Sequence, residues 1–214
     1  MSAWLVHGGD RWLADAFFHL EGDRWALRDH WATAGLIHRG GKWASVLAGV
    51  AVLGLYLRSL RGRGRQALRR PLLYLLLATA LGSTTVSVLK SVTHVDCPWD
   101  LARYGGHRAQ AAPFAPPPAG VPPGRCYPAG HASAGYAWVA LYFAARMWRP
   151  RLRWRGLGLG IGAGVLFGLG QQLRGAHFLS HDIAALAVCW LVSLGLFGLF
   201  AARKPARSAG ARRA

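Results

Sequence analysis

Five apolar stretches constrain this chain more than any other feature: Trp43–Leu57, Leu72–Val88, Ala132–Trp148, Gly156–Leu173 and Ile183–Ala202. A helix crossing a bilayer needs about 20 apolar residues, with a lower range near 17. The first stretch is short and borrows Gly40 and Gly41. The fourth reads GLGLGIGAGVLFGLG, a composition that suits close helix–helix approach, within one chain or between chains. Hydrophobic residues make up 53% of the chain and charged residues 16%, against roughly 25% charged in soluble domains. So much apolar surface in 214 residues is stable in lipid. The expected fold is an all-α polytopic membrane bundle of about five transmembrane helices.

Charge gives the bundle its sidedness. The formal net charge is +18, which in a soluble domain would point to nucleic acid. Here the cations fall in blocks between apolar runs, so no nucleic-acid partner is expected. The blocks run from Arg58 to Arg70, Arg146 to Arg155 and Arg203 to Arg213, and none contains an acid. All eight acids and all nine histidines lie in the other segments. Because Lys and Arg mark cytoplasmic loops, the C-terminal tail 203–214 is expected in the cytoplasm of a bacterial-type inner membrane, with the acid- and histidine-bearing side facing the periplasm. Five spans then leave residues 1–42 outside, as an extracytoplasmic or interfacial segment. Either an upstream sixth span is missing or this segment translocates unaided. Trp12, Ala16 and Leu20 share one helical face, as do Leu13 and Phe17, so an interfacial amphipathic helix is one expectation for it and a loosely ordered leader the other. The bundle proper is 43–202. Its outer loop, 97–130, is too rich in proline for regular structure over much of its length, and reads equally as a functional loop or a disordered one.

Three polar clusters stand where spans emerge on the outer side. Lys90 to Asp100 ends the second span, Arg125 to Ser133 opens the third, and Arg174 to Asp182 fills the turn between the fourth and fifth. Ionisable groups at span ends that face a bundle interior are functional candidates. The chemistry they fit is phosphoryl transfer. Lys90, Arg125 and Arg174 supply positive charge. Pro128-Ala129-Gly130 leads into a helix whose N-terminal amides and dipole suit an anion. A neutral histidine can attack phosphorus while a protonated one serves the leaving oxygen. Cys97 and Cys126 each flank a cluster on the outer side, where an oxidising compartment permits a disulfide pinning the loop. Cys189, within an apolar run, reads as a small core residue.

In order and spacing these residues resemble the type-2 phosphatidic acid phosphatase and haloperoxidase superfamily. Lys90 and Pro98 match its first motif, Pro128-Ala129-Gly130-His131 the second, and Gly175-Ala176-His177-Phe178 the core of the third. The resemblance covers roughly residues 70–200. It implies His177 as a nucleophile forming a phosphohistidine, His131 as the general acid, Lys90 as a phosphate ligand, and no metal or other cofactor. On this reading the substrate is a phosphorylated lipid and the chain a phosphoric ester or anhydride hydrolase.

The chain departs from the family pattern in all three motifs. Cys97 stands where the first motif has arginine, Ala129 where the second has serine, and Gln171 where the third has arginine. The nucleophile-orienting aspartate belongs at 181, which is His181; Asp182 comes one residue later. Arg174 is the expected substitute phosphate ligand, joined by Arg125 and the Gly130 amide, with Asp182 or His181 as orienter. The rival readings are a catalytically silent relative acting as a lipid-binding scaffold, a metal site on His177 and His181 completed by Asp182 or His94, and a small transporter. Oligomeric state is not readable from these features.

Overall fold

The computed structural model describes residues 8–61, 63–110, 115–116 and 119–202. The expected basic tail 203–214, and Pro113, Pro117 and Pro118 of the outer loop, lie outside the described residues. Within them the protein is all helix and turn, with one isolated bridge between Leu101 and Arg108 and no strand. The helices are α1 (Asp10–Leu20), α2 (Gly41–Arg61, entered through a π-helical run Trp31–Gly40), α3 (Gln66–Val92), α4 (Gly130–Tyr136), α5 (Ala140–Trp148), α6 (Arg153–Gln172) and α7 (Leu179–Ala202). A 3-10 turn, Ala137–Val139, joins α4 to α5.

Helices occupy all five apolar stretches. Three of them, Trp31–Arg61, α3 and α7, are long and apolar enough to cross a membrane. The stretch 132–148 is divided by the 3-10 turn, and α6 is diluted by glycine and by Arg153 and Arg155 at its start. The first long helix begins at Trp31 rather than near Trp43. His38, Arg39 and Lys42 interrupt the apolar run there without interrupting the helix, because His38 is taken up by partners inside the bundle.

The packing is that of a protein in lipid. Leu47, Leu159, Leu191 and Leu199 are all more than 60% exposed, at 64, 68, 64 and 62%. The interior is built from small and medium side chains: Val86, Ala129, Ala132, Ala137, Val139, Ala185 and Cys189 form one fully packed group. Tyr74, Ala78, Ala140 and Phe143 form a second, in which the Tyr74 hydroxyl donates to the Ser193 carbonyl at 2.8 Å. Large apolar side chains face outward where lipid replaces water, and small ones let helices approach.

The glycines of α6 make the closest approach. A Cβ at Gly160 would meet the backbone of Trp138 and Val139, one at Gly164 would enter the Tyr136 ring, and one at Gly168 would strike the Asp182 carboxylate. These positions recur every fourth residue, so they line one face of α6, with α4, α5 and α7 against it. The partners of this face are thus in the same chain. Gly158 and Gly162 have no neighbour within 4 Å of an added Cβ.

A cap covers one end of the bundle. It comprises α1, the turn at Trp25, and two 3-10 turns at Pro98–Asp100 and Ala102–Tyr104. Phe18, Trp25 and Tyr104 stack mutually, with ring centroids 5.3 to 5.6 Å apart. The amphipathic helix expected near the N-terminus is present. Trp12 and Leu20 on its outer face are 73 and 83% exposed, while Ala14 and Asp10 on the other are buried. Asp15 ties α1 to the outer loop by accepting from Arg103 Nε at 2.8 Å and from the Tyr104 hydroxyl at 2.9 Å. Asp10 caps α7: its carboxylate accepts from the Ser180 amide at 2.8 Å and from the Ser180 hydroxyl. That satisfies an amide the helix start leaves open and places negative charge at the positive end of the helix dipole. Cys97 and Cys126 are joined by a disulfide, with Cα atoms 5.2 Å apart, which fastens both ends of the outer loop beside the cap.

Gly164→Ala is expected to destabilise the bundle by about 1–3 kcal/mol through overpacking against Tyr136. Gly162→Ala on the open face should be neutral or gain about 0.5–1 kcal/mol from helix propensity. Apparent melting temperatures of the two variants in detergent, compared with the unmodified chain, check both.

Candidate active site

Beneath the cap lies a cavity of about 350 Å³, lined by His38, Lys90, Cys97, Trp99, Arg125, Cys126, His131, Gln171, Arg174, Ala176 and His177. Three chain segments that the sequence singled out therefore meet here, together with a fourth, His38, that it did not. Lys90 is delivered by the last turn of α3, His131 by the first turn of α4, and Arg174 and His177 by the turn between α6 and α7. Gly130 opens α4, and its missing side chain leaves room for Lys90: an added Cβ would lie 3.4 Å from Lys90 Nζ. Arg125 completes the cationic lining. None of the lining residues is a carboxylate.

Arg174, Gln171, His38 and His131 each have a tertiary partner at the site. Arg174 Nε donates to the Arg28 carbonyl at 2.6 Å, and Arg174 Nη1 donates to Gln171 Oε1 at 3.0 Å. The Arg28 and Arg174 guanidiniums stand 4.3 and 6.0 Å from the Trp99 ring centre. The turn carrying Arg174 is held by Trp99 N–H donating to the Gly175 carbonyl at 2.9 Å. Gly175 adopts φ +68°, and a Cβ there would enter the Trp25 ring, so both backbone and packing require glycine. On the opposite wall, His131 Nε2 lies 3.3 Å from the Ile37 carbonyl, and its ring centroid is 4.4 Å from that of His38. Gln171 Nε2 bonds to His38 Nδ1.

His177 is buried, 6% exposed. Its Nδ1 lies 3.4 Å from His181 Nδ1, and the Cys126 carbonyl lies against both rings as an acceptor. Burial holds the His177 pKa well below the usual imidazole range, and the neighbouring His181 and Lys90 push it the same way. The ring is therefore neutral near pH 7, with one nitrogen lone pair available. Arg174, half-covered by the cap, is also lowered by burial, yet an arginine keeps its charge in proteins.

Of the two expected orienters, the structure brings one to His177. Asp182 is turned away: its Oδ2 accepts from Gln172 Nε2 at 2.5 Å, and it packs on Gly168 of α6. The reason is rotational. One further residue along a helix turns the side chain by about 100°, which moves position 182 off the face that position 181 presents to His177. His181 fills the place beside His177. The proposed metal alternative lacks a third ligand, since no three His, Cys, Asp or Glu side chains among the described residues form a metal-sized cluster.

His38 and Gln171 are the site residues that the polar clusters did not announce. A signal for His38 exists: His38, Lys42 and Ser45 follow i, i+4, i+7 spacing, and Ser45 donates to the Ala134 carbonyl of α4 at 2.8 Å, one turn beyond His131.

A family model described as the PAP2 superfamily matches residues 71–205, from the second turn of α3 through α7. No curated protein and no solved structure matches the chain. The match covers more than half the chain and includes Lys90, His131, Arg174 and His177, so the chain belongs to the PAP2 superfamily.

Proposed function

We propose that this protein is an integral membrane phosphatase with five helical passes, which hydrolyses a phosphate monoester or pyrophosphate on a lipid headgroup. The observation that carries the reading is the single cationic cavity shared by Lys90, Arg125, His131, Arg174 and His177. Three cations and no lining carboxylate suit a phosphate dianion, and a neutral buried histidine suits a nucleophile. The apolar exterior supports a substrate held in the bilayer, and the segregation of arginine blocks supports a site on the outer face of a bacterial inner membrane, with a cytoplasmic C-terminus.

The steps follow from these positions. Lys90, Arg125 and Arg174 hold the phosphoryl oxygens, and the amides opening α4 at Gly130 add donors. With Nδ1–H of His177 directed to His181 or to the Cys126 carbonyl, the Nε2 lone pair attacks phosphorus. The P–N bond forms as the P–O bond to the leaving group breaks, and His131, protonated, gives its proton to the departing oxygen. Its Nε2–H is held by the Ile37 carbonyl, which leaves Nδ1–H for this transfer. Water then attacks the phosphohistidine while His131 takes up its proton. Inorganic phosphate leaves, and His177 regains its lone pair. Phosphate monoester hydrolysis is among the slowest uncatalysed reactions, so positioning and charge neutralisation carry most of the rate gain.

Phosphate release from phosphatidic acid, phosphatidylglycerol phosphate, polyprenyl pyrophosphate and lipid A, measured with purified protein in detergent micelles, tests this reading. At least one is expected to turn over; complete inertness across the panel supports the scaffold alternative instead. His177→Ala should abolish turnover, and His131→Ala should lower it by about 100-fold or more. Near-normal release by His177→Ala removes the nucleophile assignment.

The two orienter candidates separate by mutation. His181→Ala should lower kcat with little change in KM, whereas Asp182→Asn, which keeps an acceptor for Gln172, should leave both near normal. The opposite ranking would return the role to Asp182.

The lowered pKa of His177 also sets a pH dependence. The reactive form is the neutral ring, so activity lost through protonation of His177 sets in only below the ordinary value of 6.5. The profile of kcat/KM is therefore expected to hold or rise between about pH 7.5 and 6.5, because burial and then the neighbouring His38 push the His131 pKa down to about 4, so its protonated fraction still grows as pH falls through this range. An acid limb centred above pH 7 would contradict a neutral buried nucleophile. In the same direction, folding stability should fall as pH drops below about 6.5, because the unfolded chain binds a proton at this histidine that the folded chain resists.

A further inference from the structure

The helix that brings His38 to the cavity lies outside the segment matched to the PAP2 superfamily, residues 71–205. His38 nevertheless lines the cavity with His131, Arg174 and His177. Its protonation geometry follows from its partners. Arg174 can only donate, so the Gln171 oxygen faces it at 3.0 Å. The Gln171 amide nitrogen is then the atom facing His38, and it donates to His38 Nδ1. A neutral ring whose Nδ1 accepts must carry its proton on Nε2. Among the described residues His38 Nε2 has no hydrogen-bond partner, and the cavity offers it no carboxylate to donate to. The other side of the ring is set by His131, whose centroid lies 4.4 Å away.

We propose that His38 is a phosphoryl-binding residue of this site, donating from Nε2 to an oxygen of the substrate phosphate. The chain Arg174–Gln171–His38 spans the cavity wall, so one donor that the family pattern places at position 171 is supplied here by a histidine from the π-helical run that leads into α2. The proposal rests on the phosphatase reading for the identity of the anion, but the binding step it describes involves no bond-making. Hydrogen bonds to a charged group are the stronger class, so losing this one is expected to weaken phosphate binding by about 10- to 100-fold.

The test uses the full chain in detergent and inorganic phosphate as the probe, with dissociation constants from calorimetric titration. His38→Phe keeps an aromatic ring against His131 and removes the N–H; His38→Gln keeps a donor close to the position of Nε2. The expected result is a 10- to 100-fold weaker affinity for the Phe variant and an affinity within about threefold of the unmodified chain for the Gln variant, at unchanged melting temperature. Should the Phe variant fail to fold, His38→Gly takes its place: weak phosphate binding restored by added imidazole supports the role, and binding that is already normal without imidazole overturns it. Equal affinity in the Phe variant and the unmodified chain also overturns it.

Turnover separates this proposal from the reading beneath it. Binding that depends on His38 in a chain inert toward every ester removes the phosphatase and leaves the binding role. Turnover by a chain whose phosphate affinity ignores His38 does the reverse, and absence of phosphate binding by the unmodified chain removes both. A water-soluble phosphate monoester and phosphatidic acid in vesicles form the final pair. A loss of kcat/KM in His38→Phe that is common to both assigns His38 to the phosphate, and a loss confined to the lipid overturns that assignment.

Discussion

The glycine face of α6 is the contact on which the rest of the structure depends. Gly160, Gly164 and Gly168 let the α4–α5 segment and α7 approach the α6 backbone more closely than any side chain would permit. That approach sets His131 at the start of α4 against the end of α6, where Gln171 and Arg174 stand. Apolar attraction between helices is weak in lipid, because lipid tails are as apolar as leucine. Close packing and a small number of polar bonds therefore carry the association. Among those bonds are Tyr74 to Ser193, Ser45 to Ala134, Trp138 to Ser45 and Gln172 to Asp182.

A second constraint follows from burying charge at the end of such a bundle. A cation taken from water is costly unless it is paired or bonded. Arg174 is satisfied by a backbone carbonyl, an amide oxygen and an aromatic face, none of which neutralises it. The net positive field at the cavity is thus retained, which is what an incoming phosphate requires. Three carboxylates near this end of the molecule are engaged elsewhere: Asp10 on the start of α7, Asp15 and Asp96 on Arg103 and Arg108, while Asp29 acts on Arg174 from outside the cavity lining. The cap and the disulfide hold these acids away from the site while covering it.

Three of the four departures from the family pattern acquire a common explanation in the tertiary arrangement; for Ala129 nothing in the structure supplies one. Position 171 lacks the family's arginine, and its glutamine instead bridges Arg174 and His38. Position 181 lacks the aspartate, and its histidine stands beside His177 together with the Cys126 carbonyl. Cys97 replaces the first motif's arginine and holds the outer loop to Cys126, next to Arg125 in the cavity wall. In each case the altered residue stands in or directly behind the site and has a partner there.

The amino-acid sequence by itself determined the helical membrane character, through the length of its apolar runs. It also determined the positions of Lys90, His131, Arg174 and His177, because each belongs to a short polar cluster at the end of such a run. Those features are local, and period and composition reveal them. The tertiary structure alone decided that α6 turns its glycines inward on its own chain, that His181 rather than Asp182 faces His177, and that His38 joins the cavity. Each of these depends on the rotational phase of a helix. That phase is fixed by which neighbour the helix packs against: spacing such as that of His38, Lys42 and Ser45, or of Gly160, Gly164 and Gly168, marks residues that share a face, but it does not say what that face meets.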